Sequence, residues 1–263
     1  VGALDDFTET TFEHGGTTRP VFRLGTGPAV IVMAEIPGIT PKVAAFARRV
    51  AALGCSVALP SLFGTPGAEP SPGRIARSLG SACVSREFAC LATGRTSPVT
   101  GWLRALARSL HAECGGPGVG AVGMCLTGGF ALAMMVDDAV VAPVLSQPSL
   151  PFPLTRRARR DLGVSPADLE AAKRRVDDDG VCVLALRFTG DPAVPAERFA
   201  RLREELGSGV VTVEIDSSPG NPHGIPKRAH SVLTEHLVDE PGHPTRDALE
   251  QVLDLFRTRL LVA

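Results

Sequence analysis

The sequence predicts an α/β fold: a mostly parallel central sheet with helices on both faces, closed as one domain over residues 1–263. Three observations carry that expectation. Short β-branched or apolar runs recur along the chain, as Val30-Ile31-Val32-Met33, Ser56–Pro60, Val119–Met124, Val181–Phe188 and Val210–Ile215. Most are continuous rather than alternating, which suits strands buried on both faces. Between them lie stretches with helical spacing, begun by Ser/Thr-Pro pairs and ended by glycine.

Taken in order, Thr8–Glu13 and Pro20–Leu24 flank His14-Gly15-Gly16 and predict an opening hairpin. Pro28–Met33 is the first buried strand, and Thr40-Pro41 caps a helix through Leu53 that Gly54 stops. Ser56–Pro60 is the next strand, followed by a Pro/Gly-rich loop over Gly64–Gly73 and a helix. Ser97-Pro98 begins a helix that ends at Gly115-Gly116-Pro117-Gly118. Val119–Met124 is a strand, Ala139–Leu145 another, and Ser146–Pro153 a proline-rich loop. Ser165-Pro166-Ala167-Asp168 caps a charged helix ending near Gly180, and residues 146–180 are expected over the sheet edge. Val181–Phe188, the helix Ala196–Leu206, the strand Val210–Ile215 and an amphipathic helix Thr245–Leu261 complete the chain.

Composition narrows the function. A net charge of −1 offers no electrostatic case for nucleic acid or an anionic membrane surface. Asp137 and Asp138 interrupt the longest apolar run, so no membrane span is expected. The start, Val1-Gly2-Ala3-Leu4-Asp5-Asp6, lacks the basic and apolar regions of a signal peptide, and the expected location is cytoplasmic. The six cysteines are scattered and form no Cys-x-x-Cys pair, which argues for reduced thiols and against structural zinc.

One cysteine stands apart. Cys125 follows an apolar strand, sits between Gly123 and Gly128-Gly129, and opens an alanine-rich helix. A strand–turn–helix elbow lifts such a side chain clear of the sheet edge, where the helix N-terminus stabilises a thiolate and an oxyanion. The bland alternative is a small buried hydrophobe, the usual fate of a free cysteine. Two further loops at strand ends bear on the choice. Gly190-Asp191-Pro192 is ordinary turn chemistry taken alone, and Pro219-Gly220-Asn221-Pro222-His223 follows the last strand. The chain order nucleophile, acid, histidine is that of hydrolase triads.

These residues together resemble the dienelactone hydrolases, α/β-hydrolases with a Cys–His–Asp triad that act on strained lactones or related esters. The resemblance runs from about Pro28 to the C-terminus and rests on four segments. They are Val-Ile-Val-Met-Ala-Glu-Ile-Pro-Gly (30–38), Val-Gly-Met-Cys-Leu-Thr-Gly-Gly (122–129), Gly-Asp-Pro-Ala-Val-Pro (190–195) and Pro-Gly-Asn-Pro-His-Gly-Ile (219–225). It implies Cys125 as nucleophile, Asp191 as acid and His223 as base, and the backbone N–H groups of Ile36 and Leu126 as oxyanion hole. Glu35 matches the family's carboxylate that contacts the resting thiol and swings away when substrate binds. His230, in Lys227-Arg228-Ala229-His230-Ser231, competes with His223 for the base; it has a small residue before it and a better distance to the closing helix. Motif position favours His223.

Two departures are visible. Thr127 stands where the family usually has glycine, and is expected to narrow the pocket or shift the helix. The chain contains no tyrosine. Family members often hold an anionic substrate with arginines, and Arg77, Arg86, Lys227 and Arg228 are candidates, with Arg86 and Thr127 taken as substrate-binding. The implied activity is hydrolysis of small esters or lactones through a thioester, without metal or cofactor, by a monomer or small homo-oligomer. Acyl transfer or dehalogenation on the same triad, or a ligand-binding relative without turnover, are the alternatives.

Overall fold

A computed structural model describes residues 2–85, 87–88, 94–150 and 153–262, with backbone alone at 83 and 84. Its centre is an eight-stranded sheet. The strands are β1 (Thr8–His14), β2 (Thr17–Leu24), β3 (Ala29–Met33), β4 (Ser56–Pro60), β5 (Val119–Met124), β6 (Val140–Ser146), β7 (Val183–Phe188) and β8 (Val210–Ile215). Their order is β1-β2-β4-β3-β5-β6-β7-β8. The β1/β2 hairpin and the β2/β4 pair are antiparallel, and every pair from β4 onward is parallel.

Strand chemistry follows position. β3, β4, β5 and β7 are buried at every residue, the state their unbroken apolar runs require. β1 is an edge strand rich in Thr and Glu and is mostly exposed, a composition that discourages pairing with another chain.

Side-chain alternation divides the core. On β3, Ala29, Ile31 and Met33 enter one cluster while Val30 and Val32 enter the other. β7 does the same, with Val183 and Ala185 on one face and Leu184, Leu186 and Phe188 opposite. One face is covered by α3 (Val99–Cys114), α4 (Gly128–Met134), α6 (Pro166–Asp179) and α7 (Ala196–Leu206), the other by α1 (Pro41–Ala52) and α8 (Pro244–Phe256).

Local signals account for the helix ends. Thr40 accepts from the Val43 N–H at 3.3 Å, ahead of Pro41 in the first turn of α1. Ser165 accepts from the Asp168 N–H at 3.1 Å to start α6, and Gly180 ends it in the left-handed conformation at φ 63°. Ser71 caps α2 (Pro72–Val84) in the same way. A short α5 (Arg156–Arg160), not expected from the sequence, follows the loop after β6 and is capped by Thr155, which accepts from the Ala158 N–H at 3.1 Å. Among the described residues no helix is long and apolar enough to cross a membrane.

Candidate active site

The C-terminal ends of β3, β5, β6 and β7 open on one edge of the sheet, where parallel α/β proteins gather their functional loops. Cys125 sits there, directly after β5 and half-buried, with φ at 56°. A non-glycine residue in that region costs about 1–2 kcal/mol, so the turn must be held by its surroundings. Gly123 makes the turn possible: a Cβ there would lie 2.1 Å from the Thr127 carbonyl oxygen. Gly128 lets α4 approach the loop after β6, since its Cβ would meet Pro148 Cα at 2.5 Å.

Thr127 contributes to the elbow from inside the protein. It is fully buried, and its Oγ1 accepts from the Met124 N–H at 2.8 Å. The same hydroxyl lies 2.9 Å from the carbonyl oxygens of Met33 and Met124, to which it can donate. The expectation of a substrate-facing Thr127 is therefore corrected. The hydroxyl satisfies backbone groups where a buried turn leaves them unpaired, and bolts the elbow to β3.

Packing likewise places the two candidate histidines differently. Asn221 organises the turn around His223, accepting from the His223 N–H at 3.2 Å and the Ile225 N–H at 2.9 Å. That turn buries Ile225 and leaves His223 exposed, with its ring 5.2 Å from that of His243. His223, favoured from its motif, is thus not beside Asp191. His230 is: its Nδ1 lies 2.6 Å from Asp191 Oδ2. Asp191 is buried, and its other oxygen accepts from the Ala193 N–H at 2.9 Å. The backbone N–H groups of His230 and Ser231 both point at His236 Nδ1, at 3.4 and 3.3 Å, which fixes the approach to the ring.

Charge couples the three groups. Burial alone would lower the His230 pKa, but the negative charge and hydrogen bond of Cys125 and those of Asp191 outweigh it and push the value up to about 11. With Nδ1–H committed to the carboxylate, Nε2 is left for the sulfur. Cys55 is the contrast: wholly buried among apolar groups, its thiol is pushed up to about 11 by desolvation alone.

Glu35 does not meet the thiol. Its buried carboxylate accepts from Ser231 Oγ at 2.5 Å, from Gln147 Nε2 at 3.1 Å and from Thr234 Oγ1. Three donors satisfy the charge and tie the loop after β3 to the loops after β6 and β8. The expected contact between Glu35 and the resting thiol is corrected accordingly. The Ile36 N–H makes no protein hydrogen bond among the described residues, and Leu126 is in the first turn after the elbow. Arg86 lies outside the described residues. Among those described, no group of three His, Cys, Asp or Glu could hold a metal ion.

Sequence reasoning missed the loop after β6. Gln147, at φ 35°, is fully buried and accepts from the Val232 N–H at 3.2 Å while donating to Glu35. Ser149 Oγ lies 3.0 Å from Cys125 Sγ. Arg198 is buried, has no carboxylate partner among the described residues, and donates to the carbonyls of Pro148, Ala158, Asp161 and Ala193 at 2.6–3.1 Å. The guanidinium thereby fastens the Ser149 loop to the Asp191 loop. A signal was present: Ser146-Gln147-Pro148-Ser149 places polar residues straight after a buried strand, at the edge where chemistry sits.

Fold and elbow define the chain as an α/β-hydrolase. The model of the dienelactone hydrolase family matches residues 18–260, and the chain belongs to that family. Among solved structures it is similar to the dienelactone hydrolase of Anabaena variabilis, at 18% identity and a TM-score of 0.61, covering 97% of this chain and 99% of that one. A dienelactone hydrolase-like promiscuous phosphotriesterase from metagenomic libraries is similar at 16% identity and a TM-score of 0.61, covering 97% and 98%. A cold-adapted esterase from an Arctic intertidal metagenomic library follows at 15% and 0.59, covering 97% and 95%. No curated protein sequence matches the chain.

Proposed function

We propose that this protein hydrolyses small carboxylic esters or lactones through a thioester on Cys125, with His230 as acid and base and Asp191 positioning its ring. The observation that carries the reading is the 2.6 Å His230–Asp191 contact next to a cysteine held at positive φ on the elbow. The resting pair is a Cys125 thiolate and a His230 imidazolium. Sulfur attacks the carbonyl carbon, and the resulting oxyanion is received by the Ile36 and Leu126 N–H groups. The carbonyl re-forms as the C–O bond breaks, and the leaving alkoxide takes the proton from His230 Nε2. Loss of the thiolate charge removes much of what held that proton, so neutral His230 is free to act as base. It takes a proton from water, whose oxygen attacks the thioester; the C–S bond breaks and the ion pair returns. Asp191 keeps its charge throughout.

The test is trapping. Wild-type protein quenched during turnover of an aryl ester should carry the acyl mass on the Cys125 peptide, and Cys125→Ala should lose the activity. An alanine variant that cleaves every ester the wild type cleaves overturns the proposal.

A further inference from the structure

Among the described residues, the hydrogen bond that the Cys125 sulfur makes to a side chain is to Ser149. Ser149 Oγ lies 3.0 Å from Sγ, and the Ser149 N–H donates to the Cys125 carbonyl at 2.9 Å. Side chain and backbone of one residue therefore both face the elbow. The hydroxyl is buried and makes no other hydrogen bond among the described residues, so its proton is not committed elsewhere. Its loop is anchored on both sides of the preceding proline. The Gln147 N–H donates to the Leu186 carbonyl at 2.7 Å, and Arg198 Nη1 donates to the Pro148 carbonyl at 2.9 Å. The placement is thus set by the framework. Meanwhile Glu35 is bound by Ser231, Gln147 and Thr234, leaving the sulfur to Ser149.

Resting on the thiolate reading above, we propose that Ser149 is a further catalytic residue, whose hydroxyl donates to the Cys125 thiolate at rest and again as the thioester breaks. A thiolate has no proton to give, so in the ion-paired state only the hydroxyl can be the donor. When sulfur bonds to the acyl carbon its charge is consumed and the hydrogen bond weakens. When the C–S bond breaks, the electron pair returns to Sγ and the hydroxyl receives it. Ser149 keeps its own proton through the cycle, and all proton transfer runs through His230. The nucleophile is then armed before substrate arrives, with no carboxylate movement required.

The experiment measures alkylation of Cys125 by iodoacetamide against pH, read by peptide mass because the chain has six cysteines. The rates of acylation and deacylation on a p-nitrophenyl ester are followed in parallel. Losing a hydrogen bond to a charged group should move the Ser149→Ala alkylation midpoint up by about one pH unit and slow deacylation about tenfold. Ser149→Thr, which keeps the hydroxyl, should follow the wild type in both. A Ser149→Ala profile and deacylation rate equal to wild type overturns the role. So does a threonine variant shifted as far as alanine, which would make packing the cause. Cys125→Ala separates the two proposals: if it stays active, the thioester reading fails and Ser149 with it. If it is inactive while Ser149→Ala titrates like wild type, only the Ser149 role fails.

Discussion

Asp191→Asn tests the site most sharply, because the structure dictates which way the new amide would face. One oxygen of Asp191 accepts from the Ala193 N–H at 2.9 Å, while the other lies 2.6 Å from His230 Nδ1. An asparagine keeps its carbonyl oxygen on Ala193 and turns its NH2 toward His230. The imidazole must then accept at Nδ1 and carry its proton on Nε2, the nitrogen that faces sulfur. The ring can no longer take a proton from the thiol or from water. The lost charge matters as well, since the Asp191 side chain is only 2% exposed and little water screens it. A charge-assisted hydrogen bond of this kind is worth about 1.5–3 kcal/mol, or roughly ten- to a hundredfold in rate. Tautomer inversion deepens the loss to about 10³–10⁴-fold in kcat. Steady-state hydrolysis of p-nitrophenyl acetate measures it, and NMR titration of the His230 ring should show its proton leaving well below pH 11. An asparagine variant within tenfold of wild type, or a ring that titrates unchanged, would mean that Asp191 does not set the His230 tautomer.

The two histidines should separate cleanly under alanine substitution. His230→Ala should cost about 10²–10⁴ in kcat/KM, whereas the exposed His223→Ala should stay within about twofold; a larger loss for His223 reverses the assignment. Thr127→Val, which removes a hydroxyl holding buried backbone, should destabilise the fold by about 1–3 kcal/mol and lower Tm by about 2–10 °C. A changed KM with an unchanged Tm would return Thr127 to the substrate pocket. The pH dependence of stability has a definite sign. The folded-state pKa of His230 lies above its ordinary 6.5, so its contribution is fully present below about pH 6.5 and is lost as pH rises through about 11. Urea melts of wild type against His230→Asn should diverge most near pH 6 and converge toward pH 11. A gap that widens with pH would contradict the ion pair.

Much of the framework was legible in the chain because the signals are local. The apolar runs at β3, β4 and β7, the Thr40-Pro41 and Ser165-Pro166 caps, and Gly180 each act within a few residues of themselves. The elbow was legible for the same reason, since Gly123, Cys125 and Gly128 must be small or exposed within one turn. Contacts across the sheet edge were not. Glu35 and Thr234 are 199 positions apart, and nothing near either residue announces the other. His223 matched its motif but lies in a turn that Asn221 directs outward, while His230 leads into Ser231, Val232 and Leu233, which pack inward.

The layered sheet, the thiol at a strand end and the carboxylate after β7 follow from short segments, because periodicity, capping and close-approach glycines act locally. Which histidine meets Asp191, that Thr127 faces the core, and that Ser149 rather than Glu35 touches the sulfur are set by tertiary packing. Those outcomes depend on which loops converge and how each buried polar group finds its partner. Satisfying Glu35 with Gln147, Ser231 and Thr234 is a solution that exists only once β3, β6 and the segment after β8 have been brought together.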